Sequence, residues 1–176
     1  PLATRKQRDR YEGMLARARQ QGAKVATGGG RPSGLNRGWF VEPTVLTEVT
    51  PEMEILNEEP FGPVAPICRV GSFEEALTLA NRSRYGLGAN LYSLDTAEIF
   101  RAVREIESGI LWINAPLLDN DALAFGGRKL SGTGRQLGPE GLNQFQNTKF
   151  VMIDPQASNQ DFWWFPYADA EAYRNA

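Results

Sequence analysis

Two adjacent carboxylates and an aromatic ring, Glu58, Glu59 and Phe61, stand in the run Asn57-Glu58-Glu59-Pro60-Phe61-Gly62-Pro63-Val64, which holds two prolines and a glycine immediately before an apolar stretch. Proline disfavours the helical region for the residue ahead of it. Glu59 and Gly62 are therefore expected to be extended, with Glu59 and Phe61 displayed on a stiff loop. An ionised carboxylate only accepts hydrogen bonds, and its two oxygens can receive both hydroxyls of a ribose. The ring offers an apolar wall to a flat heterocycle. The pair suits a nucleoside. Taken alone, the same residues also read as a proline-stiffened turn with solvated acids.

The rest of the chemical inventory is sparse. The chain contains no histidine, which removes the commonest general base and the commonest metal ligand, so no metal cluster and no Ser-His-Asp or Cys-His site is expected within it. Its single cysteine, Cys68, falls between Ile67 and Arg69 in an expected strand, with no glycine-rich elbow around it. It reads as a structural thiol. A second notable stretch is Phe125-Gly126-Gly127-Arg128-Lys129-Leu130-Ser131-Gly132-Thr133-Gly134-Arg135. Gly132, Gly134 and Gly138 miss the dinucleotide spacing by one residue, and Lys129 is not placed as a P-loop lysine, so a phosphate cradle is not expected.

At 176 residues the chain has the size of one domain and can bury a core. A net charge of −2 offers no electrostatic reason to expect nucleic acid or an anionic membrane. No apolar run approaches the ~20 residues of a membrane span, and no signal-peptide core opens the chain. A soluble, cytoplasmic protein is expected. One cysteine excludes an internal disulfide and fits a reducing compartment.

The elements that must position these residues begin with Thr4 and Gln7, a capping-box pattern, followed by Tyr11, Met14, Leu15 and Ala18 at helical spacing until Gly22. Ala23–Thr27 reads as a short strand before the flexible turn Gly28–Gly30. Trp39–Leu46 alternates around a proline and reads as an edge or bent strand, and Thr50–Met53 as a turn. Val64–Val70 is an apolar strand. Ser72 and Glu75 cap a helix with Phe73, Ala76, Leu77 and Ala80 inward. Gly86–Ser93 is the next strand. Asp95 and Glu98 open a helix presenting Ile99, Val103 and Ile106, and Ile110–Asn114 is a third strand. Two crossovers joining three strands predict a parallel sheet covered on both faces. Pro139–Gln144 reads as a short helix and Thr148–Ile153 as a strand. The tail Phe162–Tyr167 places five aromatics in six residues and is expected to dock on the core or on a neighbouring subunit.

The motif Glu58-Glu59-Pro60-Phe61-Gly62-Pro63-Val64 resembles the E-E-x-F-G-P-V signature of the NAD(P)-dependent aldehyde dehydrogenase superfamily. Phe125–Gly138 resembles its P-F-G-G-x-K-x-S-G-x-G-R-E-x-G segment, with Ala124 in place of the usual proline and Gln136 in place of the usual glutamate. Phe40–Leu46 is similar to the family's F-x-x-P-T-V-L. The resemblance implies an α/β fold, three-layer, with a mainly parallel sheet and βαβ crossovers. Residues 1–146 would form the C-terminal part of the catalytic domain, and residues 147–176 a bridging, oligomerisation strand and aromatic tail. It implies NAD or NADP as cofactor, Glu59 on the nicotinamide ribose, Phe61 beside the nicotinamide, and Gln7 and Arg10 near the cofactor. It further implies Phe125 in the aldehyde tunnel and a homo-oligomer, dimer or tetramer. The family's cysteine nucleophile, general-base glutamate, oxyanion-hole asparagine and dinucleotide domain lie upstream of the point matching Pro1. The expected function is thus that of part of an enzyme oxidising an aldehyde through a thiohemiacetal, inactive as this chain alone. The alternative is a free-standing, non-catalytic assembly module. The beginning at Pro1 favours the first.

Overall fold

Thr4 starts the first helix as the sequence predicts. Its Oγ1 accepts from the Gln7 backbone N–H at 3.1 Å, while Gln7 Oε1 reaches back one residue further, to the N–H of Ala3. Helix α1 runs Arg5–Gln20 and buries Tyr11, Met14, Leu15 and Ala18, the stripe read from the sequence. The computed structural model describes residues 1–35, 37–115, 118 and 120–153. Under α1 lies a sheet of β1 (Lys24–Thr27), β2 (Thr44–Thr47) and β3 (Val64–Pro66), in which β1 and β2 are antiparallel and β2 and β3 parallel. Leu46, fully enclosed at the centre of β2, packs with the α1 stripe and with Val49, Met53 and Ile55 around the short helix α2 (Glu54–Asn57).

The expected edge strand is instead the central one. Pro43 stands immediately before Thr44, so its missing N–H falls outside the ladder and β2 can pair on both sides. The strand expected over Val64–Val70 stops at Pro66, and Cys68 follows it in an irregular segment. Helix α2 has no counterpart in the sequence reading.

Beyond β3 the caps again fall where predicted. Ser72 Oγ accepts from Glu75 N at 3.1 Å to open α3 (Phe73–Arg82), and Asp95 Oδ1 accepts from Ala97 N at 2.7 Å to open α4 (Thr96–Glu105). The strand expected over Gly86–Ser93 is divided. Gly86 in β4 (Tyr85–Gly86) pairs with β7 (Arg128–Lys129), whereas Gly88 in β5 (Gly88–Leu91) pairs in parallel with β6 (Ile110–Ile113), so the chain changes partners at Leu87. Only one of the two predicted crossovers therefore closes on a hydrogen-bonded parallel pair, β5-α4-β6. Strands β3 and β5 flank α3 but are not paired. Pro66, Val70, Leu79 and Asn90 line the groove between them.

Coverage is also less complete than expected. All four residues of β6 are half-buried, and on α4 it is Ala102, not Val103, that is buried; Val103 is 57% exposed. The last helix, α5 (Gly138–Asn143), agrees with the sequence reading. The fold is mixed α/β.

The chain separates into two units, Pro1–Gln144 and Phe145–Ala176. In the second, residues 145–153 are exposed and carry no helix or strand. The strand expected over Thr148–Ile153 finds no ladder partner among the described residues, and an unpaired strand has nothing to hold it extended. The aromatic run Phe162–Tyr167 lies outside the described residues. No described helix is long and apolar enough to cross a membrane.

Candidate functional site

The loop from Glu58 to Pro63 is held by one face of α1. Gln7, Arg10 and Tyr11 follow one another at i, i+3 and i+4 and so share a side of the helix. Gln7 Nε2 donates to the carbonyl of Phe61, and Arg10 Nη1 donates to the carbonyl of Glu59 at 2.7 Å. The Tyr11 hydroxyl lies 3.2 Å from the carbonyl of Pro63 and 3.1 Å from Thr44 Oγ1. Burial pushes the Tyr11 hydroxyl pKa up, which keeps it a neutral donor. Thr44 Oγ1 in turn accepts from Gly29 N at 2.9 Å and donates to the carbonyl of Glu42. The glycine turn after β1 is thereby tied to the same point.

Gly62 is required by proximity. A Cβ there would fall 2.4 Å from the Tyr11 ring. Phe61 departs from the expected geometry: its φ of +47° is left-handed, a conformation that strains a bulky residue, and the residue is 65% exposed. The proline rule constrained its neighbours but said nothing of Phe61 itself. The hydrogen bond from Gln7 to its carbonyl is what the structure supplies to hold it.

The two glutamates have different surroundings. Glu58 is extended, at φ −114° and ψ 142°, and both its carboxylate oxygens are paired with the Arg84 guanidinium. Glu59 is exposed, and among the described residues its carboxylate has no hydrogen-bond or ion-pair partner. It borders a cleft of about 250 Å³ whose other wall includes Ser83, Tyr85, Gly88, Ser108 and Ser131.

The glycine-rich stretch buttresses that wall. A Cβ on Gly109 would fall 1.8 Å from the Gly126 carbonyl oxygen, and one on Gly126 would fall 2.3 Å from that of Gly134, so backbone packs directly on backbone. Lys129 Nζ donates to the carbonyls of Asn81 at 2.7 Å and Ser83 at 3.0 Å, at the C-terminal end of α3, where the helix dipole favours a cation. It also pairs with Glu107 at 2.8 Å and holds that carboxyl below its ordinary range. Ser131 Oγ accepts from Gly86 N at 3.1 Å, and Arg135 Nη1 donates to the carbonyls of Gly127 and Gly134. The stretch is a clip between α3, β4 and the end of α4.

Phe125 exchanges two backbone hydrogen bonds of 2.7 Å with Gln136. It is half-buried in an apolar hollow with Trp112, Leu118, Leu123 and Leu137, distinct from the cleft beside Glu59. The structure thus brings Gln7, Arg10, Glu59 and Phe61 together and leaves Phe125 apart. Cys68 is half-buried and lines the groove beside β3; among the described residues its thiol has one hydrogen-bond partner, the carbonyl of Arg69, at 3.8 Å. Among the described residues no cluster of His, Cys, Asp or Glu could hold a metal ion. Sequence reasoning missed Arg84 and the tethering role of Lys129. Arg84 lies 26 residues from Glu58, with no local pattern linking them.

The family model of the aldehyde dehydrogenases matches residues 1–151. The chain belongs to the aldehyde dehydrogenase family. Among its aldehyde dehydrogenase relatives, the peroxisomal aminoaldehyde dehydrogenase 2 of Malus domestica is 41% identical over 159 residues, covering 88% of this chain and 32% of that protein. The succinate-semialdehyde dehydrogenase [NADP(+)] of Deinococcus radiodurans is 42% identical over 155 residues, covering 88% of this chain and 32% of that protein. The crystal structure of a Mycobacterium tuberculosis aldehyde dehydrogenase complexed with NAD+ superposes with a TM-score of 0.83 at 39% identity, over 90% of this chain and 32% of that one. The chain therefore spans about a third of the length of the curated relatives it matches.

Proposed function

We propose that this chain is part of an NAD(P)-dependent aldehyde dehydrogenase that oxidises an aldehyde to a carboxylic acid through a thiohemiacetal. In this reading it supplies the nicotinamide-ribose contact, a wall of the substrate tunnel and oligomer contacts, while the cysteine nucleophile and general-base glutamate stand elsewhere in the polypeptide. The observation that carries the reading is the unequal state of the adjacent carboxylates. Glu58 is paired with Arg84, and Glu59 is left, among the described residues, with its acceptor oxygens unpartnered beside a cleft, two residues before an aromatic whose backbone carbonyl Gln7 holds. Desolvated ribose hydroxyls need such an acceptor, and hydrogen bonds to an ionised group are the strong ones.

The residues present fit a dinucleotide at its nicotinamide end. Glu59 would take the ribose hydroxyls and Phe61 would wall the heterocycle, with Ser83, Tyr85, Gly86 and Gly88 on the opposite side of the cleft. Gln7 and Arg10 serve the cofactor by fixing the carbonyls of Phe61 and Glu59, and so the side chains these carbonyls carry with them. A nicotinamide held by Glu59 and Phe61 would supply the hydride acceptor of the reaction. The chain's own part is to orient and to exclude water. The M. tuberculosis relative in complex with NAD+ and the D. radiodurans relative named for NADP(+) support a cofactor of either kind. Phe125, with the apolar hollow around it, serves as a wall for the aldehyde's carbon chain.

In the same reading residues 1–146 complete a catalytic domain, and residues 147–176 reach a neighbouring subunit of a dimer or tetramer, where Thr148–Ile153 gains the ladder partners that it lacks here. The single cysteine supports placement in the cytoplasm.

Two proteins test this together. The 176-residue chain alone is expected to reduce no NAD(P)+ with any aldehyde, whereas the polypeptide its gene encodes does so. In that polypeptide Cys68→Ser is expected to leave kcat/KM within about twofold, because among the described residues the thiol has no activating base beside it. Turnover by the isolated chain, or loss of activity on Cys68→Ser with the fold retained, would refute the division of roles.

A further inference from the structure

We propose that Arg84 is the positioning residue of the cleft: it takes Glu58 out of play and, by joining the two walls, sets the distance at which Glu59 meets its ligand. The proposal rests on the reading of Glu59 as a ribose acceptor. Two neighbouring glutamates are chemically equivalent, and either could accept hydroxyls. Glu59 lines the cleft and Glu58 does not, the Glu58 carboxylate going to Arg84 instead. Left unpaired, Glu58 would add a second negative charge next to the first and compete for the same donors. A single guanidinium nitrogen, Arg84 Nη2, donates to both oxygens of Glu58 and so occupies the whole carboxylate.

Arg84 comes from the opposite wall, and its backbone is fixed there. Its carbonyl accepts from Leu130 N at 3.1 Å, and its neighbour Tyr85 pairs with Lys129 across β4 and β7. Its other neighbour, Ser83, receives the Lys129 ammonium on its carbonyl at 3.0 Å. The guanidinium itself lies 5.3 Å from the centre of the Tyr85 ring. Ser83 and Tyr85, on either side of Arg84, line the same cleft as Glu59, the residue after Glu58. One ion pair therefore ties the loop held by α1 to the wall held by the glycine-rich clip.

That pair is half-exposed, with 50% of the Arg84 side chain and 35% of the Glu58 side chain accessible. Exposed pairs contribute only about 0–1 kcal/mol to stability. Its consequence is therefore expected in cofactor binding and not in folding, which makes the two separable.

The test uses the polypeptide encoded by the gene and steady-state kinetics with NAD+ and NADP+. Arg84→Ala is expected to raise the cofactor KM about fivefold with little change in aldehyde KM, kcat or melting temperature. Arg84→Lys is expected to fall between, and the exchange Arg84→Glu with Glu58→Arg to restore most of the loss. Raising ionic strength should raise the cofactor KM of the unsubstituted protein more than that of Arg84→Ala. Equal changes in cofactor and aldehyde KM, or an exchange variant no better than Arg84→Ala at an unchanged melting temperature, would overturn the proposal. Glu59→Gln is run alongside. If it leaves the cofactor KM unaltered, the reading of Glu59 fails; if it alters the KM while the Arg84 variants do not, only the positioning role fails.

Discussion

Glu59→Gln in the polypeptide encoded by the gene is expected to raise the KM for NAD(P)+ by about 10- to 100-fold, and Glu59→Ala by at least as much. An ionised carboxylate taking two ribose hydroxyls makes two charge-assisted hydrogen bonds of ~1.5–3 kcal/mol each. The amide keeps the volume but removes the charge and one acceptor oxygen. Because the Glu59 carboxylate has no partner among the described residues, its loss disturbs no other contact seen here, and the melting temperature should hold. The backbone anchor, Arg10 Nη1 to the Glu59 carbonyl, survives the substitution. Glu58→Gln is the internal control: it acts only through Arg84, so its effect should be several times smaller. Cofactor titration and initial-rate kinetics on the three variants check this, and equal effects at Glu58 and Glu59 would remove the distinction between them.

The second large effect falls on folding. Gly109→Ala is expected to destabilise by more than ~3 kcal/mol, enough to prevent accumulation of folded protein at ordinary temperature. The new methyl would lie 1.8 Å from the Gly126 carbonyl oxygen and 2.8 Å from its carbonyl carbon, both backbone. Gly126 cannot retreat, since the Gly134 carbonyl is close behind it, and Gly109 N is already bonded to the Gly86 carbonyl at 2.9 Å. The glycines of this region are not equivalent. Gly132 is open around its Cα but has φ +100°, so an alanine there meets only backbone strain, about 1 kcal/mol. Gly134 has open space and no such φ, and its alanine variant should be nearly neutral. Thermal denaturation of the three variants should rank them Gly109, Gly132, Gly134 in decreasing loss.

Local rules carried much of the fold. Caps at Thr4, Ser72 and Asp95 depend on side chains bonding within three residues, and the stripe Tyr11, Met14, Leu15, Ala18 depends only on helical period, so both were legible. Strand pairing depends on partners far along the chain, and there the reading erred. Pro43 looked like an edge marker but sits just outside a central strand. Gly86 to Ser93 looked like one strand but serves two sheets, and Val103 has the helical spacing of a core residue yet is exposed. At the site, Glu59 and Phe61 stood out by residue type and spacing, whereas Gln7, Arg10 and Phe125 were implied only by the family resemblance. The support of the loop was not legible: the Gln7 and Arg10 donors act on backbone carbonyls about 50 residues away, and the left-handed φ of Phe61 is one its residue type does not favour. Lys129, rejected as a phosphate ligand on spacing, proves to hold the ends of α3 and α4 together.

The most direct test of the central claim, that the loop carrying Glu59 and Phe61 receives the nicotinamide end of the cofactor, is amide hydrogen exchange of the encoded polypeptide with and without saturating NAD(P)+. Saturation is established independently by a binding titration. Slowed exchange is predicted in residues 57–64 and 83–89, the two walls of the cleft, and not in the groove beside β3 around Cys68. Cofactor bound at saturation with exchange in residues 57–64 and 83–89 unaltered would contradict the account.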